Sequence, residues 1–481
     1  MEDHSFRPAL DLSADIASGK LTAESLMRST LARIAAVNDQ VNAIISLRPA
    51  DDLLREARAA DQSPRRGWLH GIPIAIKELA QAKGLSATSG SPVFAGQVAS
   101  QDDLFVARIR AAGAIIIGKT NAPEFGLGSH THNPVFGTTR NPYDLFRSAG
   151  GSSGGAAVAL ATGMLSVADG SDMMGSLRNP AGWNNVYGMR PTWGLVPDAD
   201  ADDVFVSTLA TDGPMARTPS DLAALLDTMS GADPRVPFAR GADVSLPGID
   251  DLVRPPRIGW LSDWGGALPM EQGVLETCEA ALGTMQAMGW LVEPVRDLFS
   301  SDALWTSWTR LRAWLVAMRH QDKYEDPALR PLLKEAMIHE IETGLSLSPR
   351  EIYAASGIRS DWFRSATQLF GKHDVLALPT AQVWPFDAEL THPTSIAGHE
   401  MDTYHRWMQV VVPPSLAGLP AVSVPAGFGP DGMPMGLQLI GPQDSDSYLL
   451  QIAQAWHKAT DWPGNGPRWC KVADMLRGES V

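Results

Sequence analysis

The run from Gly154 to Met164, GGAAVALATGM, constrains this chain more than any other segment. It carries no charge and no aromatic ring, so it suits a helix packed so closely that only Gly, Ala and short aliphatic side chains fit around it. Such a helix needs a large body, and the chain can supply one. At 481 residues, with 44% hydrophobic and 19% charged residues, it is too apolar to stay disordered and long enough to fill a large core. No interior stretch reaches ~18 uncharged apolar residues, so no membrane span is expected. The opening MEDHSFRPAL is acidic and has no apolar run behind a basic one, which predicts no secretory leader. The net charge of -15, from 39 Lys+Arg against 54 Asp+Glu, and the lack of a Lys/Arg-rich stretch argue against a nucleic-acid track. Two cysteines, Cys278 and Cys470, cannot form a disulfide framework; a reducing, cytoplasmic compartment with both thiols buried is the expectation.

Alternation of helices with apolar strands predicts an α/β fold. A first helix follows Thr22 and presents Leu26, Thr30, Ile34 and Val37 at helical spacing. Gly71 to Lys77 (GIPIAIK) reads as a strand with both faces apolar, so Lys77 ends a buried strand. Ser100-x-x-Asp103 reads as a capping box opening a helix with Leu104, Ala107 and Ala111 inward, followed by the β-branched strand AIIIG at Ala114 to Gly118. Thr218-Pro219-Ser220-Asp221 opens another helix, with Leu222, Leu225, Leu226 and Met229 as its stripe. Strands are expected at Arg257 to Leu261, Val375 to Leu378, Ala421 to Pro425 and Met435 to Ile440. Helices are expected at Val274 to Met285 and from Ser445. The segment 300–370 is helical and Trp-rich; Trp305, Trp308 and Trp314 fit either a core face or a pocket lid.

The densest unusual cluster is RSAGGSSGG, Arg147 to Gly155, where glycines around two hydroxyls permit unusual backbone angles and close approach. A polar loop is the bland alternative. The Walker lysine is absent, which removes a phosphate loop, and no hydrophobic strand precedes the cluster as a hydrolase nucleophile elbow requires. A second cluster, DGSDMMGSLRNP from Asp169 to Pro180, follows the small-residue helix, and that path can bring Ser152 and Ser176 together. Amides beside Ser176 can converge on a developing oxyanion. Lys77 completes a base relay, because burial lowers an amine's pKa until the neutral form can accept a proton at pH 7, although a solvent-facing lysine at a strand end is the ordinary alternative.

The combination GIPIAIKELA, GKTNAPEFG, RSAGGSSGG and SDMMGSLRNPAG, followed by AGLPAVSVPAG and GMPMGLQLIG, resembles the amidase signature family of Ser-Ser-Lys amide hydrolases, from about residue 15 to residue 460. The resemblance implies a single α/β/α domain over 1–481 with a large central mixed sheet covered by helices. Within it, 1–70 is an N-terminal helical region and 231–370 a variable region placed to form a pocket. It implies that Ser176 is the nucleophile, Ser152 the bridging serine in a cis peptide and Lys77 the base. Ser153 is then expected to support the loop, and the amides of Met173, Met174, Gly175 and Ser176 to form the oxyanion hole. This chain departs from the family in having Met174-Gly175 where two glycines are usual, and Ala149 where proline is common. Asp172 and Arg178 are expected as an ion pair holding the loop, with direct substrate contact as the alternative. Asn121 and Asn133 orient loops around the substrate or serve as Asx-turn residues. His130-x-His132, and His399 with Asp402 and His405, lack a persuasive ligand spacing, so no metal is assigned.

The functional expectation is a cofactor-free amidase that cleaves a carboxamide or acylamide to a carboxylate and ammonia or an amine. A bulky apolar or aryl acyl group is favoured, the partner is a small-molecule substrate rather than nucleic acid or membrane, and homodimerisation stays open. Competing readings are the amidase subunit of a glutamine-dependent tRNA amidotransferase, an α/β-hydrolase-type esterase using Ser152 or Ser153, and a non-enzymatic interaction protein on the same fold.

Overall fold

The computed structural model describes residues 3–242 and 244–467. Eight strands form the central sheet. They lie in the order Leu291–Pro294, Arg257–Trp260, Val375–Pro379, Pro434–Ile440, Ala421–Phe428, Tyr187–Arg190, Thr211–Ala216 and Val167–Asp172. Arg257–Trp260 runs parallel to both of its neighbours and every other pair is antiparallel, so the sheet is mixed. Helices on its faces bury apolar stripes, among them Val274–Ala287 with Cys278, Leu282 and Met285 inward. Asp446–Thr460 adds Leu449, Ile452, Ala453 and Trp456. The whole is one α/β domain built on this sheet. Among the described residues no helix is long and apolar enough to cross a membrane.

The predicted strand at Lys77 spans Pro73–Lys77 and is buried throughout, but it belongs to a separate three-stranded sheet with Ile115–Thr120 and Ile44–Ile45. It lies beside the edge strand Val167–Asp172. There the Asp169 carboxylate stands in for a ladder acceptor, taking the Lys77 N–H at 3.2 and 3.3 Å. The two sheets meet where Lys77 leaves its strand.

The small-residue run forms the helix Gly154–Ala161, buried along its entire length. Its glycines are sites of close approach. A Cβ on Gly155 would stand 2.3 Å from the Asn121 amide nitrogen and 2.6 Å from the Ala43 carbonyl oxygen. Thr22 and Thr218 cap their helices as expected, each accepting an amide three residues on. A helix at Ala9–Ala17, ahead of the first one expected, was not visible in the sequence pattern.

The Ser100 capping box does not form. The helix begins at Leu104 after Asp103, whose carboxylate instead accepts the Gln81 N–H at 2.8 Å. Its inward residues are Phe105, Val106 and Ile109, while Ala107 and Ala111 are exposed. The segment 300–370 contains three helices, Ser301–Glu325, Glu335–Ser346 and Pro349–Phe370. Trp305 and Trp308 are buried in the main core and Trp314 packs against it, so these rings are core rather than lid. Cys278 is buried and free; Cys470 lies outside the described residues.

Two glycine substitutions should move stability in opposite directions. Gly155→Ala forces a methyl group into backbone and should lower the melting temperature, with a cost of about 1–3 kcal/mol. Gly283→Ala, in the Val274–Ala287 helix with nothing within 4 Å of the new methyl, should raise it by the helix-propensity gain of about 0.5–1 kcal/mol. Thermal unfolding of the two proteins beside the parent checks both signs.

Candidate active site

Lys77 is 1% exposed at the junction of the two sheets. Its Nζ donates to three hydroxyls, Ser152 Oγ at 2.8 Å and Ser153 Oγ and Ser171 Oγ at 2.9 Å, and approaches the Ser171 carbonyl at 3.3 Å. An ammonium has three protons to give, and three short acceptors surround it. Burial pushes its pKa from 10.5 down to about 7, against the opposing pull of Asp169, Asp212 and Asp172. Neutral and cationic forms are therefore both populated near neutral pH. Asp169 is driven up to about 6 by burial, its Lys77 N–H donor and the charges of Lys119 and Lys77 acting the other way.

Ser152 and Ser153 sit at the turn between Asp144–Ser148 and Gly154–Ala161, and the Gly151–Ser152 peptide is cis. The preceding strand is partly exposed, pairs with Arg140–Asn141 and through a short bridge with Asp387, and lies outside the eight-stranded sheet, unlike the buried core strand that a nucleophile elbow needs. The turn is held by groups on neighbouring loops. Thr131 Oγ1 donates to Gly150 O at 2.7 Å, and Ser129 Oγ lies 2.5 Å from Gly151 O and 2.7 Å from Asn179 Oδ1. Gly150 has φ +73°, where a side chain would be strained.

Ser176 is joined to this group through its backbone. The Ser153 N–H donates to Ser176 O at 3.2 Å, tying the two serine segments together, while the Ser152 hydroxyl faces Lys77. The turn before Ser176 is organised by Asp172. Its carboxylate accepts the Gly175 N–H at 2.8 Å, the Leu177 N–H at 3.2 Å and the Arg178 guanidinium at 2.9 and 3.0 Å. Arg190 Nη1 contacts both its carbonyl and its carboxylate. Burial alone would raise the Asp172 pKa, but Arg178 and Arg190 hold it well below the usual carboxylate range. Arg178 reaches further, to Val411 O, Gln438 Oε1 and Ser415 Oγ.

A model of the Amidase family matches residues 25–450. The chain belongs to that family. It is 30% identical to an acylamidase of Rhodococcus erythropolis over 95% of this chain and 96% of that one. It is 32% identical to a glutamyl-tRNA(Gln) amidotransferase subunit of Chloroflexus aggregans, covering 94% and 96%. A bacterial aryl acylamidase of the amidase signature family superimposes with a TM-score of 0.88 at 26% identity, covering 99% of each chain. This amidase is accordingly a hydrolase of amide or acylamide bonds.

Among the residues that the sequence singled out, the amidase engages Gly175 differently from expectation: its N–H is committed to Asp172 and is not free for an oxyanion. The amides of Met173, Met174 and Ser176 donate to no other group among the described residues. Met174, standing where the family has glycine, lies outside the left-handed region and is buried in the main core, so its thioether has found packing. Asn121 and Asn133 are bound to one another at 2.7 Å. Asn121 also donates to Thr139 Oγ1, and Asn133 accepts the Val135 and Phe136 amides, so both hold loops. His130 is buried against Ser148 Oγ and Ala388 O, whereas His132 is exposed. His399 and Asp402 are exposed while His405 is buried, so those three diverge.

Sequence reasoning missed Ser171, Asp169 and Asp212. A signal for the first two existed in the alternation of Asp169 and Ser171, which places both on one face of a strand; Asp212 needed the cross-strand register.

Removing Arg178 should test how far this turn depends on Asp172. Arg178→Met leaves a buried carboxylate short of its main partner, and a loss of about 3–5 kcal/mol is expected in unfolding measurements. Because the folded-state pKa of Asp172 lies below the unfolded value of about 3.9, its pairing stabilises fully above that pH and is lost as pH falls through and below it. The parent's melting temperature should therefore drop more steeply below about pH 4 than that of Arg178→Met.

Proposed function

We propose that this amidase acts through an acyl-enzyme on Ser176, with Lys77 as general base and Ser152 as the proton carrier between them. The observation that carries this reading is the buried Lys77 amine, 2.8 Å from Ser152 Oγ and lowered to about 7. A neutral Lys77 accepts the Ser152 proton as Ser152 takes the proton of Ser176, whose oxygen attacks the amide carbonyl. The oxyanion is received by the amides of Met173, Met174 and Ser176, held in place by the Asp172 turn. The proton returns through Ser152 to the leaving nitrogen, which departs as ammonia or an amine. Water deprotonated by the same relay then attacks the ester and frees the carboxylic acid. Ser153, bonded to Lys77 and to the Ser176 carbonyl, fixes the spacing of the relay.

The substrate reading is an amide with an apolar or aryl acyl group. A Cβ on Gly126 would lie 3.7 Å from Ser152 Oγ, so this loop borders the relay. Its neighbours Phe125 and Leu127 join an apolar cluster with Val316, Met337 and Ile341, all three within the variable 231–370 region. The likeness to the aryl acylamidase and the acylamidase supports the same class. A second reading, the catalytic subunit of a glutamine-dependent tRNA amidotransferase, is supported by the 32% identity to such subunits. Hydrolysis of acylanilides by the chain alone favours the first reading; glutamine hydrolysis only in the presence of partner subunits favours the second.

Lys77→Ala should stay folded and lose about 10²–10⁴ of its turnover, the usual share of a general base. In the parent, kcat/KM should rise with pH through about 7, because below that value Lys77 already carries its third proton and has no lone pair to accept another. Turnover in folded Lys77→Ala within about tenfold of the parent would remove Lys77 from this role.

A further inference from the structure

We propose that Asp212, acting through the Ser171 hydroxyl, carries a proton from Lys77 to solvent at the end of each turnover. This rests on Lys77 being the general base. Of the three hydroxyls on Nζ, those of Ser152 and Ser153 belong to buried residues, whereas Ser171 is half-buried. Ser171 lies directly opposite Asp212 in the antiparallel register between Val167–Asp172 and Thr211–Ala216. Directly opposed residues put their side chains on the same face of a sheet, so Asp212 stands on the Lys77 side. It is also the half-buried residue of a strand whose other positions are buried. The path from amine to hydroxyl to carboxylate thus runs from interior to surface.

Asp212 differs from the other carboxylates facing this point. Asp172 is held by Arg178 and Arg190. Asp169 takes the Lys77 N–H, Asp103 the Gln81 N–H and Asp198 the Asp200 N–H. Asp212 forms no hydrogen bond or ion pair through its carboxylate among the described residues, and a partly desolvated carboxylate without a donor is unfavourable unless it is protonated part of the time. Burial, reinforced by Asp198, Asp103 and Asp169 and opposed by Lys77, raises its pKa well above the ordinary carboxylate range.

The reaction supplies a proton that must leave. Each cycle forms a carboxylic acid beside a neutral amine, and the stronger acid gives up its proton: RCOOH and Lys77-NH2 become RCOO⁻ and Lys77-NH3⁺. The cation cannot start another cycle. Lys77 then breaks one N–H bond and passes that proton to Ser171 Oγ while Ser171 passes its own hydroxyl proton, through one bridging water, to the Asp212 carboxylate on the opposed strand. Lys77-NH2, an intact Ser171 hydroxyl and Asp212-COOH result, and Asp212 releases the proton to water.

Single and multiple turnovers separate this role from a structural one. Reaction of excess enzyme with an acylanilide at pH 8 needs no reset, whereas steady-state turnover does. Asp212→Asn should keep the single-turnover rate within about twofold, lose at least about tenfold in kcat with KM falling in parallel so that kcat/KM is little changed, and regain kcat in proportion to added imidazole. Asp212→Glu should restore kcat without imidazole. Equal slowing of single and multiple turnovers, or an unchanged kcat, in folded Asp212→Asn would overturn the proposal. Lys77→Ala run alongside should be slow in both regimes; if it is slow in neither, the base assignment itself has failed.

Discussion

The removal of the Lys77 amine from water is the interaction on which the rest of the site depends. Left in solvent, it would hold its proton to about pH 10 and be useless as a base near neutrality. Desolvation brings it to about 7, yet a buried cation without partners would be prohibitively costly. Three hydroxyls resolve that conflict: they satisfy the cation with donors and acceptors of no net charge, and so do not restore the high pKa that an adjacent carboxylate would impose. Asp169 sits close enough to take the Lys77 backbone N–H, but its own pKa is raised to about 6, which limits how strongly it favours the cation.

Positioning that amine requires two sheets to converge, and positioning the serines requires loops with little room. Gly155 allows its helix to press against the backbone of Asn121 and Ala43, and this brings Ser152 and Ser153 to the end of the Lys77 strand. Opposite them, Asp172 gathers two amides and two guanidiniums into one buried cluster that shapes the turn carrying Ser176. That cluster bears on the proposed oxyanion hole: engaging the Gly175 N–H removes one donor and leaves the amides on either side of it.

Much of this was legible in the chain. Thr22 and Thr218 announced their helices because a hydroxyl cap is a local device, and Lys77, Ser152 and Ser176 stood out because their motifs are short and specific. The Ser100 cap failed because a competing acceptor relationship, Asp103 to Gln81, joins segments far apart in sequence. Asp212 was invisible for a similar reason. It is an ordinary polar residue in a strand until the register places it opposite Ser171. The sequence also carries no sign that Gly175 has its amide taken, since that follows from how the Asp172 side chain folds back over its own turn.

The most direct test of the central assignment is to label the folded protein with a fluorophosphonate or an activated amide and map the adduct by intact-mass and peptide analysis. One adduct on Ser176 is expected, slower to form in Ser152→Ala and absent from Ser176→Ala. A dominant adduct on Ser152 or Ser153 that persists in Ser176→Ala would contradict the nucleophile assignment.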